Sequence, residues 1–91
     1  MDEKRVRVIV HGDVQGVGFR AGCQSEAVAV SVRGWVKNKW DGTVEALFEG
    51  PEEAVDHMLR WCERGPRMAD VERVEQHEAP EPAPPGLFRV R

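Results

Sequence analysis

The chain has 91 residues, 41% hydrophobic and 32% charged, with a formal net charge of -3. Such a length fits one domain, residues 1–91, burying only about 60–65% of the surface its unfolded form exposes. The mixture excludes wholesale disorder, no apolar run is long enough to cross a bilayer, and the negative balance argues against a general nucleic-acid binder.

The first residues, MDEKRVRV, are charged and hold no hydrophobic signal region, so a cytoplasmic location is expected. In Arg5–His11 the residues Val6, Val8 and Val10 alternate with Arg7, Ile9 and His11, the period of a strand with one core face. A loop punctuated by Gly12, Gly16 and Gly18 follows. From Phe19 the period changes: Phe19, Cys23, Ala27 and Val30 make one stripe of a helix. Gly34–Trp40 and Thr43–Glu49 read as two strands, and Asp41-Gly42 between them signals a hairpin whose two central residues take positive φ. Val44, Ala46 and Phe48 alternate with Glu45, Leu47 and Glu49, which predicts a wetter second face.

Gly50-Pro51-Glu52-Glu53 opens a second helix, with proline in its first turn and the acids at its positive end. Its apolar face is Ala54, Val55, Met58, Leu59, Trp61 and Cys62, and Gly65-Pro66 ends it. A strand is expected near Asp70–His77, a proline-rich extended connection over Ala79–Gly86, and a short edge strand within Leu87–Arg91. The order β-α-β-β-α-β plus a terminal strand predicts an α+β, ferredoxin-like two-layer sandwich, with two helices on one face of an antiparallel sheet. Cys23 and Cys62 admit a disulfide, but an intracellular setting favours two buried thiols. No cysteine–histidine spacing suits zinc, so no metal or other cofactor is expected.

Two positions run against structural preference. Arg20 sits in the first turn of the first helix, where the dipole disfavours a cation by about 0.3–1 kcal/mol. It makes sense among the N–H groups of a glycine-rich loop if an anion sits between them, since guanidinium binds phosphate oxygens in pairs. A surface arginine paired with Asp13 or Glu26 is the plainer reading. Asn38 lies in a strand, where asparagine is depleted, and offers a neutral donor and acceptor able to orient a water. Proximity to a hairpin turn would also explain it. His11, His57 and His77 are read mainly as surface residues, with His11 nearest the loop.

The segments V-Q-G-V-G-F-R at Val14–Arg20 and G-W-V-K-N at Gly34–Asn38, followed by D-G-T-V-E at Asp41–Glu45, resemble the two signatures of the acylphosphatase family. The resemblance covers nearly the whole chain and implies the ferredoxin-like fold and metal-free hydrolysis of acyl phosphates to a carboxylate and inorganic phosphate. It places the catalytic arginine on Arg20 and the catalytic asparagine on Asn38. The phosphate cradle falls on Gln15, Gly16, Val17, Gly18 and Phe19, and a hydroxyl supporting the asparagine falls on Thr43. The sequence departs from the family's usual pattern at Val30-Ser31, where Leu-Gly is frequent, and at Trp40, where proline is frequent.

A carboxylate leaving group needs no general acid, and phosphoryl transfer asks chiefly for positioning and charge stabilisation. The expected partners are therefore a small-molecule acyl phosphate and inorganic phosphate or other anions, with neither nucleic acid nor membrane. The rival is a non-catalytic ferredoxin-like module binding an anion or metabolite, which gives no reason for Asn38. An RNA-binding module would need exposed aromatics on a basic sheet. A domain of a larger hydrogenase-maturation protein is a further alternative, for which the chain's length offers no support.

Overall fold

The computed structural model describes residues 2–91. Its elements are β1 (Glu3–Asp13), α1 (Phe19–Ala29), β2 (Arg33–Asn38), β3 (Val44–Pro51), α2 (Glu52–Arg64), β4 (Asp70–His77) and β5 (Arg89–Val90). The strands lie in the order β4-β1-β3-β2-β5. The α+β, ferredoxin-like sandwich read from the sequence is therefore the fold, with one difference in the sheet. β4, β1, β3 and β2 pair antiparallel, but β5 joins β2 in parallel, so the sheet is mixed. Direction alternates over the first four strands, and the chain leaving β4 crosses to the far edge of the sheet. It arrives running the same way as β2.

The core is a single cluster between the sheet and the two helices. Val6, Val8 and Val10 of β1 and Val44, Ala46 and Phe48 of β3 supply the sheet side. Phe19, Cys23 and Ala27 of α1 meet Val55, Met58 and Cys62 of α2 above them. Apolar burial at about 25 cal/mol per Å² makes this cluster the main source of stability. Phe19 meets the edge of Trp61 at 5.1 Å between ring centroids, which locks the start of α1 to the end of α2. Cys23 and Cys62 are free, fully buried thiols whose side chains meet, and burial pushes the Cys23 thiol well above its ordinary value.

Three local readings need correction. The β2–β3 turn is closed by the Gly42 N–H on the Lys39 carbonyl at 3.1 Å, so Trp40 and Asp41 are its central residues. Only Gly42 of the Asp-Gly pair has positive φ, and Asp41 accepts from the Thr43 N–H and hydroxyl at 3.0 and 2.7 Å. Those bonds hold the Asp41 carboxyl below its ordinary range. Pro51 stands one position outside α2, as its N-cap and the last residue of β3. The second face of the sheet is drier than expected: Ile9 and Leu47 are buried. Residues 79–84 fold back over that face, tied by Arg5 Nε to the Ala79 carbonyl at 2.7 Å and by the Ala83 N–H to Glu49 at 3.0 Å.

Helix α1 ends in a Schellman turn. The Ser31 N–H bonds the Val28 carbonyl at 3.2 Å, and the Val32 N–H bonds the Ala27 carbonyl at 2.9 Å. Ser31 has φ 61°, the one non-glycine residue with positive φ among those described. It stands where glycine is the usual solution.

Candidate active site

The β1–α1 loop and the end of β2 converge at one end of the sheet. They enclose a cleft of about 270 Å³ lined by Val14, Gly16, Gly18, Arg20, Gln24 and Asn38, with Val90 of β5 at its side. A register shift between His11 and Gly12 interrupts the β1–β4 pairing just before this loop. Gly16 and Gly18 take φ 75° and 81°, and Gly18, the N-cap of α1, is left-handed. That conformation is costly for a residue with a Cβ, so glycine here lets the chain turn directly into the helix.

The helix start is bare. No side chain among the described residues caps it, and its first turn holds no acid. The first N–H drawn into the helix is that of Gly22, on the Gly18 carbonyl at 3.0 Å. Earlier N–H groups of a helix are left to outside acceptors, and with the dipole they favour a negative charge. Arg20 is half-buried and is the one charged residue lining the cleft. It pairs with neither Asp13 nor Glu26. Its Nη1 donates instead to the main-chain oxygen of Arg91 at 3.3 Å, while Glu26 lies 3.7 Å from His57.

Asn38 ends β2, paired in register with Val44. It shares a sheet face with Gly34 and Val36, and its Oδ1 is buried without a hydrogen-bond partner among the described residues. A buried amide oxygen left unpaired costs about 1–3 kcal/mol, which a donor from a bound molecule would recover. Lys37 is on the opposite face, its Nζ 3.6 Å from Glu45.

Within the expected cradle, Gly16, Gly18, Phe19 and Arg20 line the cleft. Gln15 and Val17 do not. Val17 packs against the core, and Gln15 turns its amide to the neighbouring hairpin, donating to the carbonyls of Lys39 and Thr43 at 2.5 and 2.9 Å. Thr43 does not line the cleft either: its carbonyl accepts from Gln15 and its hydroxyl donates to Asp41. Gln24 is a lining residue that sequence reasoning passed over. It lies one turn after Arg20 on the same helix face, a spacing that could have found it, and it donates to the Phe88 carbonyl at 3.1 Å. None of the histidines lines the cleft: His11 and His77 both sit against Glu75, at 2.6 and 3.1 Å. With Arg73, these contacts hold the Glu75 carboxyl down at about 2, the largest part coming from His77.

The structure is thus a two-layer α/β sandwich with a glycine-rich loop beside a half-buried arginine at one end of its sheet. Comparison with known proteins makes the class specific. The acylphosphatase family model matches residues 6–90. A curated acylphosphatase of Synechococcus is 49% identical over 92 residues, covering 99% of this chain and 95% of that protein. The crystal structure of acylphosphatase from Bacillus subtilis superimposes with a TM-score of 0.88 at 38% identity, covering 96% of this chain and 97% of the other. An acylphosphatase structure from Coxiella burnetii gives 0.91 at 34% identity, over 99% and 94%. The chain belongs to the acylphosphatase family. It is an enzyme of that class, and its reaction is the hydrolysis of acyl phosphates. No helix among the described residues is long and apolar enough to cross a membrane.

Proposed function

We propose that the cleft between α1 and β2 hydrolyses the carboxyl–phosphate bond without a metal, with Arg20 and the loop N–H groups binding the phosphoryl group and Asn38 placing the water. The observation that carries this reading is the pairing of two unsatisfied sets across one small space. On one side are the bare first turn of α1 and Arg20; on the other is Asn38 Oδ1, without a hydrogen-bond partner among the described residues.

The chemistry follows from those groups. The guanidinium and N–H donors take the equatorial phosphoryl oxygens and stabilise the charge that develops there. Asn38 Oδ1 accepts one hydrogen of the water, which leaves a water lone pair free to attack phosphorus. The new P–O bond forms in line as the bond to the acyl oxygen breaks. The carboxylate leaves as an anion, since its conjugate acid has a pKa of roughly 4–5. A phosphoryl oxygen takes the proton lost by the water, and the product is inorganic phosphate. Gln15 and Thr43 act indirectly, by fixing the hairpin that presents Asn38. Small acyl phosphates and inorganic phosphate in a cytoplasmic setting suit a cleft of this size; nucleic acids and membranes have no part in the reading.

The test is hydrolysis of benzoyl phosphate in chelator-treated buffer by the parent chain, Arg20→Ala and Asn38→Ala. Arg20→Ala should lose both phosphate binding and turnover, whereas Asn38→Ala should chiefly lower kcat. An Asn38→Ala enzyme with unchanged kcat and raised KM would remove the water-placing role, and chelator-sensitive turnover would remove the metal-free mechanism.

A further inference from the structure

A second and larger cleft, about 400 Å³, lies on the sheet face opposite the helices. It shares no lining residue with the first. Its floor is one cross-strand row in which Leu47 pairs with Arg7 on one side and Trp35 on the other. Its wall is the returning segment, including Pro80 and Pro84, and Arg91 completes the rim. The volume falls within the range of about 300–1,000 Å³ typical of small-molecule sites. The wall is held in place by the bonds from Arg5 to Ala79 and from Ala83 to Glu49.

The polar groups of this cleft point to one class of ligand. The Arg91 guanidinium lies over the Trp35 ring at 4.7 Å, and the Lys37 ammonium lies 5.4 Å from the same ring. The Arg7 Nη1 donates to Glu45 at 2.7 Å, the one hydrogen bond of its side chain among the described residues. A guanidinium has five N–H donors, so most of this fork stays available. The charged residues that line the cleft are Arg7, Arg91 and Glu81. Glu81 is exposed and makes no ion pair among the described residues, so it stands at the solvent edge.

We propose that this cleft is a binding site for a small monocarboxylate with an apolar body. The body lies on Leu47, Trp35 and the prolines, and the carboxylate bridges Arg7 and Arg91. Two guanidinium groups can take the two oxygens of one carboxylate, and the apolar walls favour a ligand with an apolar body over a bare phosphate. The enzyme's own reaction releases a carboxylate, so this class of ligand is made by the molecule that binds it. Arg91 connects the two clefts, since its main-chain oxygen accepts from Arg20. The inference stands on the second cleft alone and is independent of the roles proposed for Arg20 and Asn38.

Titration of the isotope-labelled protein with benzoate, followed by NMR, tests it. Saturable shifts are expected at the Trp35 indole N–H and at the amides of Leu47, Ala79 and Ala83. Arg7→Gln should weaken binding about fivefold, the scale of one partly exposed charged contact. Benzyl alcohol, which keeps the apolar body but lacks the charge, should bind at least as poorly; it tests the need for a carboxylate even if Arg7→Gln loses its fold. Shifts confined to residues 15–20 and 38 would overturn the proposal. So would equal affinity for benzyl alcohol, or no saturation up to about 100 mM.

Discussion

Gln15 and Lys39 are 24 positions apart in sequence and joined by a short hydrogen bond, from the Gln15 amide to the Lys39 carbonyl at 2.5 Å. A second bond, to the Thr43 carbonyl at 2.9 Å, makes Gln15 a clasp across the base of the β2–β3 turn. Through it the loop that begins α1 and the strand that ends in Asn38 keep a fixed separation. Neither element touches the other through a backbone ladder there.

Replacing the clasp should therefore affect catalysis and stability together. Gln15→Ala removes both bonds and should cost about 1–3 kcal/mol. Gln15→Glu keeps the shape but sets an acceptor against two carbonyls, so it should be the worse variant at neutral pH. Urea unfolding and kcat/KM with benzoyl phosphate, measured on both, check the order. If Gln15→Glu proved as active and stable as the parent, the clasp would have no such role.

Ser31 offers a gain. Its φ of 61° costs a non-glycine residue about 1–2 kcal/mol, while the Schellman bonds around it need only backbone atoms. Ser31→Gly should raise stability by about 1 kcal/mol after the added freedom of the unfolded glycine is set against it. Activity should not change. A thermal melt of the two proteins decides the matter.

Two glycines should respond differently to alanine. At Gly34 an added Cβ would overlap the Leu47 carbonyl oxygen, so Gly34→Ala must displace β3 or unfold the sheet. At Gly18 a Cβ meets nothing within 4 Å, and the cost is the left-handed backbone alone, about 1–2 kcal/mol. Gly18→Ala should fold yet bind phosphate less well. Circular dichroism melts and phosphate titration separate the two effects.

Glu49 predicts a pH dependence. Its carboxyl is held below its ordinary value of 4.5, first by the Ala83 N–H and then by the Arg33 and Arg5 guanidinium groups. A depressed carboxylate stabilises the fold above its unfolded-state value, and that contribution disappears as pH falls through the lower, folded-state value. Glu49→Gln should be less stable than the parent at neutral pH and approach it at an acid pH below the folded-state value. Unfolding curves at both pH values test this; a difference that persists undiminished in acid would show that the carboxylate's charge is not the cause.

Elements with a repeating buried face were legible in the sequence. Val6, Val8 and Val10 on the strand and Phe19, Cys23 and Ala27 on the helix face one core, and periodicity reports just that. Arg20 and Asn38 stood out because each opposes a local preference, and both line the cleft. What escaped reading depends on partners distant in the chain. The direction of β5 cannot be read from two residues, since it follows from where β4 ends. Leu47 looked like a wet-face residue because its cover comes from residues beyond 78, with no period of their own. The Asp-Gly pair suggested a tighter turn than the chain makes, because Asp41 commits its carboxylate to Thr43 and keeps ordinary φ. Gln15 sits inside a recognisable loop, yet nothing in its spacing tells that its side chain turns away from the ligand side.

The two thiols sealed between α1 and α2 also have a consequence in time. Burial and each other's company keep Cys23 protonated, and neither sulfur offers surface to a reagent in the folded state. An alkylating probe can then react only during moments when the helices part. Its rate becomes a clock for those openings, and its denaturant dependence measures how much of the molecule opens with them.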